Sequence, residues 1–234
     1  MATDLALWAL LEAAKDQVAR SVPAPDGPDG LDRVVPAEER IAQALQLFDT
    51  VESLQPLEPT PLPVVEEWLE PAAQLAAPAT DELPSTTDLA TALVAAKDCL
   101  RWSRAYPDAP KRPDVDEFLD NYAYGLLVAA REPDTDNQPY APFTSEQMML
   151  GFTIQAPNLL YPRHSHIAVE LYGVIAGNAN WYHPAMDWPL RPPGSVMVHE
   201  EFQHHAMRTH DEPLLCWVMW VTEPNSPAEL HLDI

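Results

Sequence analysis

The chain has 234 residues, of which 47% are apolar, and carries 36 acidic against 13 basic side chains for a net charge of −23. That is enough length and apolar content for one or two folded domains. The acidity argues against nucleic acid or an anionic membrane surface as a partner, and no apolar run reaches the length of a membrane span.

The opening segment MATDLALWALLEAAKDQVAR has acids early and no basic stretch, so it does not read as a signal peptide, and a cytoplasmic protein is expected. Leu5, Trp8, Leu11 and Val18 follow helical spacing. Pro36 stands at a first helical position before Ile41, Leu45 and Phe48. LPSTTDLATALVAAKDCLRW offers Ser85 as an N-cap and sets Leu89, Leu93, Ala96 and Leu100 on one helical face. PDVDEFLDNYAYGLLVAA offers Asp114 and Glu117 as a capping pair, followed by Phe118, Tyr122 and Leu126. Between these helices, SVPAPDGPDG and LQPLEPTPLPVVEE read as exposed loops. Residues 1–130 are therefore expected to form a helical N-terminal region. Its acids read as solvated surface, and its apolar stripes as core or as a homodimer contact.

After REPDTDNQPYAPF the pattern changes. Short β-rich runs follow: MMLGFTIQAP, AVELYGVIAG, NANWYHP, SVMVHEE and PLLCWVMWVTE, with turn residues every eight to twelve positions. This pattern predicts an antiparallel β-sandwich or barrel over residues 131–234, and an α+β protein overall. Cys99 and Cys216 lie in apolar runs without CxxC spacing and read as buried thiols of a reducing compartment. All eight histidines fall between His164 and His231. If the β half holds a site, that asymmetry is explained.

The stretch YPRHSHIAVELYGVIAG reads as strand, yet it carries His164, His166 and Glu170. On a strand, residues two apart share a face, so His164 and His166 point the same way, as do Glu170 and Tyr172. Two imidazoles and a carboxylate on one face are three ligands for a divalent ion. A further imidazole is available from His199, His204 or His205 in PPGSVMVHEEFQHHAMRT. Otherwise His183, His199 and His210 read as surface groups or as groups behind the ligands, His231 as a tail residue, and Glu200 and Glu201 as a solvated turn.

HSHIAVELYGVIAG resembles the first cupin motif, HxH-x3-E-x6-G, at every fixed position from His164 to Gly177. PPGSVMVHEEFQHHAMRT resembles the second, with Pro193 and Gly194 in place, His205 at the histidine position and Thr209 where asparagine is usual. That alignment favours His205 as the fourth ligand, with His204 as the alternate. The resemblance implies a jelly-roll-like cupin barrel. Tyr172 two residues past the glutamate, Tyr161 before the histidines, and HHAMRTHDEPLLCWVMW together resemble the cupin-type dimethylsulfoniopropionate lyases. This second resemblance implies one divalent metal (Zn, Fe, Mn, Co or Ni) held by His164, His166, Glu170 and His205. It implies Tyr172 as base, Tyr161 as a second catalytic tyrosine, and Trp220 and Trp181 as substrate contacts. It also implies a small zwitterionic substrate, cleaved to dimethyl sulfide and acrylate.

The implied chemistry is physically coherent. A metal next to the substrate carboxylate offsets the charge that develops on α-proton removal. A nearby cation lowers a tyrosine toward use as a base, and aromatic faces suit a sulfonium. The rival readings are another metal-dependent cupin enzyme, such as a dioxygenase or isomerase, or a non-catalytic cupin that binds a small ligand. The lyase needs Tyr172, whereas oxygen activation does not.

Overall fold

A computed structural model of the chain describes residues 2–24, 35–53, 57–60, 62–130, 141–182 and 188–231. Among them are five α-helices: α1 (Ala2–Ala19), α2 (Ala37–Leu47), α3 (Pro63–Ala73), α4 (Thr87–Ala96) and α5 (Pro113–Asp120). The early strands are β1 (Val22–Pro23), β2 (Glu52–Ser53), β3 (Trp102–Ser103), β4 (Tyr122–Ala129) and β5 (Phe143–Thr144). Next come β6 (Met149–Gln155), β7 (Leu160–His166), β8 (Glu170–Ala176), β9 (Ala179–Trp181) and β10 (Leu190–Arg191). Then follow β11 (Ser195–His199), β12 (His205–Thr209), β13 (Leu214–Trp220) and β14 (Ala228–Leu230).

The strands form two sheets. The larger runs β1-β11-β8-β13-β6-β4-β5-β2, with β3 beside β4, and the smaller runs β10-β9-β12-β7-β14. Most pairs are antiparallel, while β1 with β11 and β4 with β5 are parallel. The result is the α+β, jelly-roll-like cupin arrangement expected from the sequence, built as two sheets rather than one closed barrel.

Alternation along β8 shows the layering. Leu171 and Ile175 join the apolar cluster that includes Leu10, Leu69 and Leu93 of the helices. Tyr172 and Val174 point the other way, into a cluster with Tyr161, Trp181 and Met207 of the smaller sheet. Covered on both faces, β8 is buried throughout, which is why it reads as an almost unbroken apolar run. Arg40 of α2 also ties the layers together, its Nη2 lying 2.7 Å from Glu200 Oε2. Glu200 is thus an ion-pair partner and not simply part of a solvated turn.

Several local expectations are corrected. Leu5 and Trp8 are 72% and 43% exposed, and α1 instead buries Leu7, Leu10, Leu11, Ala14 and Val18. The segment is apolar on two faces, so helical spacing fits either stripe. The helices α2, α4 and α5 start at Ala37, Thr87 and Pro113, behind Pro36, Thr86 and Arg112, without a side-chain cap hydrogen bond. The stretch read as a loop before Glu67 is helical from Pro63, at the helix start, where its missing N–H is tolerated. YAYGLLVA is a strand and not the end of a helix, pairing Tyr122 with Gln155 of β6. Its Tyr and Val content favours extended backbone and Gly125 weakens a helix, although Phe118, Tyr122 and Leu126 fit a helical period. The larger sheet therefore takes β1, β2, β3 and β4 from the first 130 residues.

Two glycines are required by close packing. Gly177, which ends the first motif, has φ +72°, and a Cβ there would lie 2.0 Å from the Pro213 carbonyl oxygen. A Cβ on Gly173 would lie 2.1 Å from the Trp217 indole, which is itself fully buried. Gly173→Ala is expected to cost about 1–3 kcal/mol of stability, because a packed indole has to move. An unchanged urea midpoint for this variant would contradict that packing.

Candidate metal centre

The stretch that reads as one strand is two. β7 ends at His166 in the smaller sheet, β8 starts at Glu170 in the larger one, and the chain turns between them. His205 opens β12, His199 closes β11 and Trp220 closes β13. Five strand ends from two sheets therefore bring an imidazole, a carboxylate or an indole to one place.

Ligand atoms of His166, Glu170 and His205, all buried, lie within 4.8 Å of one another. Glu170 Oε2 is 3.5 Å from His166 Nε2 and 3.3 Å from His205 Nε2. His164 flanks this trio, its ring centroid 3.9 Å from that of His205. His204 turns away and stacks on His231 at 4.1 Å. His205 is thus the member of the HH pair that enters the cluster. Of the other histidines, His210 bonds Asn180, His231 bonds Ser165 at 2.8 Å, and His183 lies outside the described residues.

The donor set fits a divalent ion. The Nδ1 atoms of His164, His166 and His205 are 2.9, 2.8 and 2.9 Å from the carbonyls of Pro162, Ala168 and Gln203. A carbonyl only accepts, so each Nδ1 carries the hydrogen and each Nε2 keeps its lone pair for a metal. The Nε2 atoms of His166 and His205 are buried with no hydrogen-bond partner. Burial, together with the charge of His205, holds His164 well below its ordinary pKa. Burial opposes ionisation of Glu170, yet His166, His199 and His205 together hold its carboxyl well below the usual range. Burial opposes charge on His166, but Glu170 beside it outweighs burial and raises its pKa, so a bound ion would have to displace a proton from that imidazole.

His199 was read from the sequence as peripheral, but it is 1% exposed and its Nδ1 lies 2.9 Å from Glu170 Oε2. Burial pushes its pKa down to about 3. Trp220, expected to contact substrate, lines the cavity and donates its indole N–H to Glu170 Oε1 at 2.9 Å. Trp181 is not among the cavity-lining residues. It stands behind Tyr172 at 4.9 Å between ring centroids, and near His199 at 6.2 Å.

His164, His166 and Glu170 of the cluster form part of the wall of a cavity of about 1080 Å³. Five of the chain's seven tyrosines line it: Tyr106, Tyr122, Tyr124, Tyr161 and Tyr172. Tyr161 stacks flat on His164 at 4.0 Å and its hydroxyl lies 2.7 Å from that of Tyr106. Tyr172 hydrogen bonds Thr153 at 3.0 Å and shares its buried cluster with Tyr122. Burial pushes the phenols of Tyr122, Tyr161 and Tyr172 up. Only a nearby positive charge would bring one of them down to work as a base.

Tyr161 and His164 are three apart and by simple alternation would face opposite ways. They share the cavity because β7 bulges: Met207 pairs with Tyr161 and His205 with His164, so two residues of β12 span three of β7. The extra residue falls at Pro162–Arg163, where Pro162 has no N–H to give the ladder. Tyr106 and Tyr122 were missed as site residues. The signal for Tyr122 and Tyr124 was the alternating YAY of a strand. Tyr106 sits in a loop with no such signal.

Two facing sheets, with imidazoles and a carboxylate gathered at their strand ends, define a cupin with a candidate metal centre. The family model for dimethylsulfoniopropionate lyase matches residues 37–216, and the chain belongs to that family of carbon–sulfur lyases. The dimethylsulfoniopropionate lyase DddQ of Ruegeria pomeroyi is 28% identical over 165 residues, covering 69% of this chain and 74% of that protein. The putative dimethylsulfoniopropionate lyase DddL of Cereibacter sphaeroides is 28% identical over 122 residues, 52% of this chain and 45% of that one. The crystal structure of the R. pomeroyi DddQ matches with a TM-score of 0.72 at 23% identity, covering 97% of this chain and 96% of that one. A structure from work on the lyases RdDddP and RnDddQII matches at 0.70 and 23%, covering 98% and 99%. At such identity these two structures establish the shared fold.

Proposed function

We propose that the protein is a metal-dependent lyase that cleaves dimethylsulfoniopropionate to dimethyl sulfide and acrylate. The observation that carries this reading is the trio His166, Glu170 and His205, with donor atoms within 4.8 Å, of which His166 and Glu170 line a tyrosine-rich cavity. Membership of the lyase family supports the choice of substrate.

In this reading His164, His166, Glu170 and His205 hold one divalent ion, of which Zn, Fe, Mn, Co and Ni all suit the donors. When bound, the ion supplies positive charge next to the substrate carboxylate and to the tyrosines. Tyr172 takes the proton from the carbon α to the carboxylate. The C–H electron pair becomes the C=C bond and the C–S bond breaks, its pair leaving on neutral dimethyl sulfide. Thr153 holds the Tyr172 hydroxyl through a hydrogen bond. Trp220 gives the sulfonium an aromatic face, worth about 0.5–2 kcal/mol when water is excluded, while Tyr161, stacked between His164 and Phe118, acts as the second catalytic tyrosine through its hydroxyl, paired with that of Tyr106.

The test is headspace gas chromatography of metal-loaded protein with dimethylsulfoniopropionate. Dimethyl sulfide and acrylate are expected in equal amounts. Sulfide no higher than in a heat-killed control would refute the reading.

A further inference from the structure

We infer that His199 and Trp220 are positioning residues that hold both oxygens of the Glu170 carboxylate and so set its orientation toward a divalent ion. The inference rests on the metal site proposed above.

The strand register sets up this arrangement. Glu170 opens β8, and in the larger sheet β8 lies between β11 and β13. The residue paired with Glu170 on β11 is His199, and the one on β13 is Trp220. Directly paired residues on adjacent strands lie close enough for their side chains to meet. Each neighbour puts one N–H on one carboxylate oxygen. His199 Nδ1 is 2.9 Å from Oε2, and Trp220 Nε1 is 2.9 Å from Oε1. An ionised carboxylate only accepts, so Nδ1 of His199 carries the hydrogen, as the indole nitrogen always does.

The two N–H groups fix the carboxylate plane and leave other lone pairs on Oε2 toward Nε2 of His166 and His205. His199 Nε2 is likewise buried without a hydrogen-bond partner, but His199 stands outside the trio whose donor atoms lie within 4.8 Å of one another, and its ring lies flat on that of His205, 4.0 Å away and tilted by only 12°. Groups that orient a ligand in this way typically contribute 10–100-fold in metal affinity. Trp220 thereby has a structural task besides forming part of the cavity wall.

The test is metal affinity, measured by competition between the purified protein and a chromophoric chelator for Zn(II) and Co(II). His199→Phe keeps a flat ring on His205 and removes the N–H; affinity is expected to fall about 10–100-fold. His199→Gln keeps a side-chain N–H and is expected to stay within about threefold of wild type. Trp220→Phe is expected to weaken binding in the same direction as His199→Phe. It also covers the case in which a change at the buried His199 impairs folding, which thermal melts of the metal-free proteins report. Affinity within threefold of wild type in both His199→Phe and Trp220→Phe overturns the inference. A Gln variant as weak as the Phe variant also overturns it, since His199 would then act through its ring or as a ligand. Wild type that binds neither metal refutes the metal site first and the inference with it, whereas metal-binding protein without lyase activity refutes only the proposed reaction.

Discussion

Tyr172→Phe is expected to keep its metal and its melting temperature while turnover of dimethylsulfoniopropionate falls at least about 100-fold, the lower range for losing a general base. The substitution removes only a hydroxyl. The ring stays in its cluster with Trp181, Val174 and Met207, so packing is preserved. What is lost with the hydroxyl is the hydrogen bond to Thr153 at 3.0 Å. A merely structural tyrosine would show the reverse, with lower stability and near-normal turnover per metal-loaded molecule. Measuring metal by elemental analysis alongside initial rates separates the two. Retained turnover would take Tyr172 out of the base role and return weight to a cupin enzyme of another class.

The second large effect is expected at His205. His205→Ala removes the imidazole whose Nε2 stands 3.3 Å from Glu170 Oε2. The bound metal should fall at least tenfold in content after dialysis, and lyase activity with it. His204→Ala is the control. It is adjacent in sequence, but its ring stacks on His231 and not on the cluster, so metal and turnover should stay near wild type. Metal loss confined to His204→Ala would reverse the assignment.

Much of this was legible in the sequence because it rests on spacing. HxH-x3-E puts two imidazoles and a carboxylate within a few residues, and the strands from Met149 onward announce themselves by composition. What stayed hidden depends on contacts between distant segments. His199 looks like any polar strand-end residue until register sets it opposite Glu170. Tyr106 reaches the cavity from a loop 55 positions before its partner Tyr161. The strand at Tyr122 was masked by an accidental helical period, which sheet pairing overrode. Trp181 fitted an aromatic wall by type, yet Tyr172 stands between it and the site.

The bulge at Pro162–Arg163 divides β7 into two segments with independent settings. The part after it, His164 to His166, is held in register with His205 of β12 and Ala228 of β14. The part before it, with Tyr161, presents a phenol to whatever occupies the cavity. Lengthening or shortening the chain at that one point would rotate Tyr161 out of the cavity without moving either imidazole. If His164 and His166 hold a metal as proposed, one strand can change what it recognises while keeping what it coordinates, and substrate range and metal retention become separable traits.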